Sequence, residues 1–153
     1  MADRPQIVLL NGPNLNLLGT REPELYGTGD LAALEAVCAA EARRLGVALK
    51  CGQTNAEHEL VGWVQAARAS HGIILNPAAF GYSSYALVDA LRACSCPIIE
   101  VHLSNIQGRA ERWRARTLTA PAVTGTISGL GVEGYLAALR ALAALPAAAS
   151  APQ

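Results

Sequence analysis

Short apolar runs, rich in β-branched residues, alternate along the chain with longer segments in which apolar positions recur every three or four residues. The short runs predict five β-strands, over residues 6–10, 47–53, 72–76, 97–102 and 122–128. The longer segments predict four helices, over residues 30–45, 57–70, 83–93 and 132–145. Asp30 is the expected N-cap of the first helix, because its carboxylate can accept a backbone N–H there.

This alternation of strands and helices predicts βαβ units, and therefore an α/β fold built on a parallel sheet. Five such strands favour a flavodoxin-like three-layer sandwich of strand order 2-1-3-4-5. We expect a single domain over residues 1–146, followed by a flexible tail of small residues and proline over residues 147–153.

Polar, loop-forming segments follow three of the predicted strands, over residues 11–26, 76–84 and 102–105. The expected strand order reverses between strands 1 and 3, and parallel α/β proteins bind ligands at the carboxyl ends of strands there. The first loop is long and rich in glycine and proline, which suits a mobile lid, while a plain connection is the alternative. The sequence therefore predicts one ligand-binding crevice.

Composition narrows the classes of partner. The chain has no net charge and only 16% charged residues, which argues against nucleic acid and favours a small molecule. It has neither an apolar run of roughly 18 residues nor a secretory signal pattern, so we expect a cytoplasmic protein without a membrane partner. The cysteines lack a zinc-binding spacing and are expected to be reduced and structural: Cys38, Cys51, Cys94 and Cys96.

Motifs for nucleotide binding and covalent catalysis are missing from the sequence. No G-x-G-x-x-G or G-K-S/T element follows the first strand, and there is no G-x-S-x-G nucleophile elbow. The sole lysine, Lys50, falls within a predicted strand, where Schiff-base chemistry is unpromising. Acid–base chemistry remains as the best hypothesis.

The predicted crevice contains a candidate base and a candidate acid. Tyr26 could act as the base, because the Arg21 guanidinium in the same loop would favour its phenolate form. His102 ends the fourth strand, and Glu100 lies on the same strand face, where it could orient the imidazole or hold it charged. The alternatives are a packed tyrosine, a structural histidine and an ordinary buried ion pair. The loops also supply polar side chains: Asn14, Asn76 and Tyr82.

The first loop carries a long motif, L-N-G-P-N-L-N-L-L-G over residues 10–19, followed by R-E-P at 21–23 and Y-G at 26–27. Further matches extend over nearly the whole chain: Q-T-N at 53–55, N-P-A-A at 76–79, D-A-L at 89–91, I-E-V-H-L-S-N at 99–105, G-L-G at 129–131 and G-Y at 134–135. Together these motifs closely resemble those of the type II 3-dehydroquinate dehydratases.

The resemblance implies conversion of 3-dehydroquinate to 3-dehydroshikimate by anti elimination of water through an enolate, without a metal or an organic cofactor. In this scheme Tyr26 removes the proton next to the ketone, and Arg21 favours its phenolate and stabilises the transition state. Asn14 helps to hold the enolate through a water molecule, and His102 protonates the departing hydroxyl.

The resemblance also implies a substrate site and an assembly. Leu103 and Ser104 would bind the substrate carboxylate, and Asn76 would bind ring hydroxyls. Asp89 would reach the site of a neighbouring subunit, because members of the family form trimers that assemble into dodecamers. The implied pathways are aromatic amino-acid biosynthesis and quinate catabolism.

Three positions depart from the family's pattern. Tyr82 stands where the family has a substrate-binding histidine, and Gln107 stands where it has a second histidine. Trp113 aligns with an arginine that contacts substrate; neighbouring helical positions are about 100° apart, so Arg112 or Arg114 would have to be repositioned to replace it. Loss of that contact would weaken binding by roughly 1.5 to 3 kcal/mol.

These departures leave two other functions open. The chain could be a related lyase that acts on a different cyclic hydroxy-ketone, with Tyr82 and Trp113 reshaping the hydroxyl-binding end of the site. It could also be a non-catalytic oligomeric binding protein that keeps the fold. Retention of the whole proposed acid–base set argues against the second possibility.

Overall fold

Five parallel strands form the central sheet of the computed structural model, which describes residues 3–20, 22, 24 and 29–146. The strands are β1 (Gln6–Asn11), β2 (Ala48–Gln53), β3 (Gly72–Asn76), β4 (Ile98–His102) and β5 (Gly125–Ser128). Their order is β2-β1-β3-β4-β5, and each pair of neighbours is parallel. The predicted fold class and strand order are confirmed.

Helices lie along the connections between the strands. They are α1 (Leu31–Leu45), α2 (Glu57–Ala67), α3 (Phe80–Ser83), α4 (Tyr85–Arg92) and α5 (Val132–Ala144). Asp30 caps α1 as predicted, accepting the backbone N–H of Ala33 at 2.8 Å. Gly46 ends the same helix with a φ of 74°, a conformation that glycine adopts without strain.

Several element boundaries differ from the prediction, among them the end of α2, which lies at Ala67 and not at residue 70. The helix predicted over residues 83–93 is interrupted at Ser84. The backbone of Ser84 is extended, and the Ser84 hydroxyl caps α4 by accepting the N–H of Leu87. Strand β5 begins at Gly125, three residues later than predicted. The preceding Ala120–Ala122 segment contains proline and forms a 3₁₀ turn instead.

Side chains alternate across the sheet and bury two hydrophobic layers. Helices α1 and α5 cover one face, where Leu9 packs in the same cluster as Leu139. Helices α2 and α4 cover the other face, where Leu10 packs in the same cluster as Leu87. The two layers pack on opposite faces of the sheet and so fix the strands whose carboxyl ends carry the loops.

The polar residues that end the strands continue this alternation. Asn11 and Asn76 lie on the α1–α5 side, where both contact the Tyr135 hydroxyl. Glu100 and His102 lie on the opposite side of the sheet, because they follow the alternation of Ile98 in the α2–α4 layer. Groups from both faces therefore meet at one edge of the sheet.

Strands β1 and β3 end side by side at the point where the strand order reverses. The Gly12 backbone N–H donates to the carbonyl of Asn76 at 2.8 Å, and a Cβ on Gly12 would collide with the carbonyl of Pro77. Glycine is needed here because the two backbones touch. Beyond this contact the first loop makes a 3₁₀ turn over Leu15–Leu17.

The structure describes only part of the predicted lid and none of the predicted tail. Residues 21, 23 and 25–28 of the lid, and the tail over residues 147–153, lie outside the described residues. In the described parts of the chain, no helix is long and apolar enough to cross a membrane. All four cysteines carry free thiols.

Candidate active site

A pocket opens at the carboxyl ends of β1, β3 and β4, between the loops that follow these strands. Its polar lining is Asn14, Asn76, Tyr82, His102, Ser104, Arg109 and Arg114. The loops predicted to converge therefore do meet. A larger cavity of about 680 Å³ adjoins this pocket and shares Leu103, Ser104 and Arg109 with it.

His102 and Glu100 form a buried pair on β4. The imidazole Nε2 lies 2.8 Å from Oε2 of Glu100, which is 1% exposed. The same carboxylate accepts the hydroxyl hydrogens of Thr117, at 2.7 Å, and of Thr119. Burial opposes the charged form, but the hydrogen bonds from His102, Thr119 and Thr117 outweigh it and hold the pKa of Glu100 below its ordinary value.

This arrangement assigns different tasks to the two nitrogens of His102. An ionised carboxylate only accepts hydrogen bonds, so the Nε2 hydrogen of His102 lies in the bond to Glu100. No described residue forms a hydrogen bond with Nδ1, although His102 lines the pocket. Nδ1 is therefore the nitrogen that can exchange a proton with a bound molecule.

Asn76 is held by a buried chain of hydrogen bonds. Its Oδ1 accepts the backbone N–H of Ala78 at 3.1 Å, and its Nδ2 donates to the hydroxyl of Tyr135 at 2.8 Å. That hydroxyl donates in turn to Oδ1 of Asn11 at 2.6 Å. Because the oxygen of Asn76 is engaged by the backbone, its amide presents one further N–H to the pocket.

Asn14 stands at the start of the first loop in a left-handed conformation, with a φ of 69°. Asparagine tolerates this conformation better than most residues. Its backbone N–H donates to Oδ1 of Asn55 at 2.9 Å, and Gln53 donates to that same oxygen at 3.1 Å. The loop that follows β2 therefore supports the position of Asn14 at the pocket.

Two guanidinium groups make one side of the pocket electropositive. Arg109 donates to the Ser104 hydroxyl at 3.2 Å and lies 3.7 Å from the Glu111 carboxylate. Arg114 stacks over the Trp113 ring at 4.4 Å, and its Nε lies 3.6 Å from the same Glu111 carboxylate. The guanidinium groups next to Ser104 suit recognition of an anionic or hydroxyl-rich molecule.

The structure corrects the placement expected at position 113. Trp113 is 57% exposed and Arg112 is exposed, and neither lines the pocket. Arg114 lines it instead, so a guanidinium is present at this end of the site. The segment here is a short 3₁₀ turn, not the α-helix that the 100° argument assumed.

Tyr82 lines the pocket, and its hydroxyl donates to the backbone carbonyl of Arg114 at 2.8 Å. Its ring also packs edge-on against Trp113, with 5.0 Å between ring centroids. Tyr82 therefore braces the segment that carries Arg114. Gln107 lies in a 3₁₀ turn after β4, where its backbone N–H donates to Asn105 Oδ1 at 3.2 Å.

Three other predicted residues lie away from this pocket or outside the description. Asp89 is exposed on α4 and does not line its own subunit's pocket. Arg21 and Tyr26 lie outside the described residues, so their roles stay predictions.

Sequence reasoning missed four residues of the site: Arg109, Thr117, Thr119 and Tyr135. Their only local signals were weak. Thr117 and Thr119 form a T-x-T pattern in an irregular segment, and Tyr135 interrupts an otherwise aliphatic helix face with an aromatic hydroxyl. Such patterns carry no information about which distant strand the side chains meet.

The strand order defines an α/β protein of flavodoxin-like topology, with a pocket at the switch point of its sheet. The pocket combines an imidazole–carboxylate pair with oriented amides and guanidinium groups, a set that suits acid–base chemistry on a polar small molecule. The family model for class II dehydroquinases matches residues 5–143. The chain belongs to the type II dehydroquinase family.

Individual relatives extend over most of the chain. A 3-dehydroquinate dehydratase of Chelativorans sp. (strain BNC1) is 54% identical over 140 residues, which are 90% of this chain and 96% of that protein. One from Streptomyces coelicolor is 45% identical over 153 residues, 99% of this chain and 96% of that protein. The crystal structure of type II dehydroquinase from Propionibacterium acnes has a TM-score of 0.88 at 42% identity, covering 94% of this chain and 99% of that one.

Proposed function

We propose that the protein is a 3-dehydroquinate dehydratase, which converts 3-dehydroquinate to 3-dehydroshikimate and water by anti elimination through an enolate. The observation that carries the proposal is the His102–Glu100 pair, with Nε2 bound to a buried carboxylate and Nδ1 left for a substrate. Relatives at up to 54% identity bear the name of this activity.

The first step is removal of the proton next to the ketone. We assign this step to the Tyr26 phenolate, favoured by Arg21, on the strength of the loop motif in which both residues stand. The carbon–hydrogen electron pair moves to the ketone and forms an enolate. Asn14, whose backbone N–H donates to Asn55, would hold a water molecule against the enolate oxygen.

The second step is loss of the hydroxyl. Collapse of the enolate expels the hydroxyl, which takes a proton from Nδ1 of the His102 imidazolium and leaves as water. The negative charge of Glu100 stabilises the imidazolium before that transfer. Tyr26 and His102 then exchange protons with solvent, so the enzyme returns to its starting state.

The remaining pocket groups fit the substrate's polar substituents. Leu103 and Ser104 would bind the carboxylate, with the Arg109 guanidinium beside the serine hydroxyl. Asn76 would donate its free N–H to a ring hydroxyl. Tyr82 and Arg114 occupy the other end of the pocket, where they would contact the remaining hydroxyls.

We extend the proposal to assembly and cellular role. Asp89 is exposed on α4, as a residue contributed to a neighbouring subunit's site would be. The family resemblance supports a trimer in which each Asp89 reaches the next pocket, with trimers assembled further into a dodecamer. The reaction serves the shikimate pathway or quinate catabolism in the cytoplasm.

The direct test is the rise in ultraviolet absorbance as purified protein converts 3-dehydroquinate to its conjugated enone product. We expect turnover by the wild type and none by Tyr26→Phe, which deletes the base and preserves the ring, while circular dichroism and oligomeric state stay unchanged. Normal turnover by Tyr26→Phe would refute the assigned base. A folded, oligomeric wild type without turnover would overturn the proposed substrate.

A further inference from the structure

Residues 117–119, here called the threonine segment, lie next to the buried carboxylate of Glu100 and bind it. Thr117 donates its hydroxyl hydrogen to Oε2 at 2.7 Å, and Thr119 donates to Oε1. Thr119 is fully buried and Thr117 is 7% exposed. The two hydroxyls therefore act inside the protein: Thr117 shares Oε2 of Glu100 with His102, and Thr119 binds the other oxygen.

The backbone of the threonine segment is fixed independently of Glu100. The Leu118 N–H donates to the carbonyl of Gly81 at 2.6 Å, which ties the segment to α3. The Thr117 hydroxyl oxygen also accepts the Ala120 N–H at 3.0 Å, so its one hydrogen stays directed at Glu100. Both threonine donors are thus held in place before any ligand binds.

Glu100 needs these donors to remain an acceptor. Three described groups donate to its carboxylate: His102, Thr117 and Thr119. Loss of either threonine hydroxyl would shift the balance toward the neutral acid, because burial already favours that form. A neutral Glu100 would donate its own hydrogen to Nε2 of His102, and the imidazole would then be neutral, with its hydrogen on Nδ1. A neutral imidazole is a much weaker acid than the imidazolium that the elimination requires.

We infer that Thr117 and Thr119 are positioning residues for the proposed elimination: by holding Glu100 as an ionised acceptor, they keep a hydrogen on Nε2 of His102 and direct Nδ1 at the leaving hydroxyl. This inference rests on the proposed role of His102. The threonines touch neither substrate nor reacting atoms and act only through Glu100. Their effect belongs to the chemical step and not to substrate binding.

The first test separates kcat from KM. Thr119→Val keeps the side-chain shape and deletes the donor, so we expect kcat to fall by about tenfold while KM stays within about twofold, a partial loss of general-acid catalysis. Thr119→Ser keeps the hydroxyl and should recover most of kcat. Thr124→Val is the matched control, because its hydroxyl accepts the Ile98 N–H at 2.9 Å at the far end of β4 and does not touch Glu100.

The second test needs no turnover. Solid-state NMR of ¹⁵N-histidine-labelled protein reports the protonation of each ring nitrogen, and the chain has only three histidines, so His102→Asn assigns the signals of interest. We expect Thr119→Val, and Thr119→Cys if the first variant does not fold, to move the His102 nitrogen signals toward the Nδ1–H form. Thr124→Val should leave them in place.

Unchanged His102 signals in the Thr119 variants would overturn the inference, as would an equal shift in Thr124→Val. A fall in stability with kcat and KM both retained would also overturn it, because the threonines would then be structural only. If the wild type does not act on 3-dehydroquinate, the proposed substrate fails, and the NMR signals still decide whether the threonines set the state of His102.

Discussion

The role of each residue in this site depends on which of its atoms already form hydrogen bonds within the protein. Tyr135 is fully buried, and burial raises the pKa of its hydroxyl well above the ordinary tyrosine value, so it stays neutral. It therefore accepts one hydrogen bond, from Asn76, and donates one, to Asn11. A residue that does not line the pocket thus decides how the Asn76 amide faces it.

Removing this hydroxyl tests its importance. Tyr135→Phe leaves the side-chain N–H of Asn76 and Oδ1 of Asn11 buried without the tyrosine hydroxyl. We therefore expect the protein to lose about 1 to 3 kcal/mol of stability. KM for 3-dehydroquinate should rise more than kcat falls, because Asn76 is assigned to binding. Urea unfolding and steady-state kinetics measure both effects, and an unchanged KM would contradict the role given to Tyr135.

The pKa of Glu100 predicts how stability depends on pH. It lies below the ordinary 4.5 in the folded protein, so the stabilisation from this carboxylate is complete above that value and is lost as the pH falls below it. Glu100→Gln has no such contribution. The difference in unfolding free energy between the two proteins should therefore shrink as the pH is lowered from about 6 to about 3. If the unfolding free energies of the two proteins change in parallel with pH, the prediction is contradicted.

Sequence reasoning succeeded where a residue lies in a regular element and failed where it does not. Glu100 and His102 were placed on one face because residues two apart on a strand share a face. Arg114 was judged misplaced because the segment was treated as helical, whereas it forms a short 3₁₀ turn. Thr117 and Thr119 belong to an irregular connection, in which no period indicates what a side chain will contact.

Strands and helices matter to the site mainly through their ends. The switch point followed from the alternation of elements along the sequence, because a five-stranded parallel sheet has few plausible orders. The exact limits did not follow, since the helix predicted over residues 83–93 begins only after its N-cap Ser84, and the separate short helix α3 precedes it. What the alternation could not reveal is how closely the ends of β1 and β3 approach each other.

That approach can be tested at Gly12. Gly12→Ala places a Cβ against the Pro77 carbonyl, so the two strand ends must move apart. We expect a loss of at least about 1 to 3 kcal/mol of stability and a strong loss of turnover. The control is Gly62→Ala in α2, where a Cβ meets no atom within 4 Å outside the local helix backbone and should be neutral or stabilising by up to about 1 kcal/mol.

Urea unfolding and the enone absorbance assay compare the two variants directly. If Gly12→Ala behaves like Gly62→Ala, close contact between the strand ends is not required.

At the scale of the whole molecule, the exposed Asp89 makes the proposed assembly testable. Asp89→Ala and His102→Ala should each be nearly inactive alone. In mixed trimers, a site is complete when an Asp89→Ala subunit, which keeps His102, lies next to a His102→Ala subunit, which keeps Asp89. Random mixing in equal amounts satisfies both conditions at one half times one half, so about a quarter of wild-type activity should return. In trimers that contain both variants, one site of the three is complete, so about a third should return.

Co-expression of the two variants with different affinity tags, followed by purification through both tags, supplies the mixed assemblies. Activity no higher than that of either parent would show that Asp89 does not serve a neighbouring site. Analytical ultracentrifugation of the same material determines whether trimers and dodecamers form.

The pocket takes its amides from one face of the sheet and its imidazole from the other. Asn76 is anchored through Tyr135 to the α1–α5 layer, whereas His102 is anchored through Glu100 on the opposite side. Mutations that repack one layer can thus alter affinity for a ring hydroxyl without disturbing proton delivery, and the reverse also holds. The two anchors therefore offer separate routes of adaptation, one toward new substrates and one toward a different working pH.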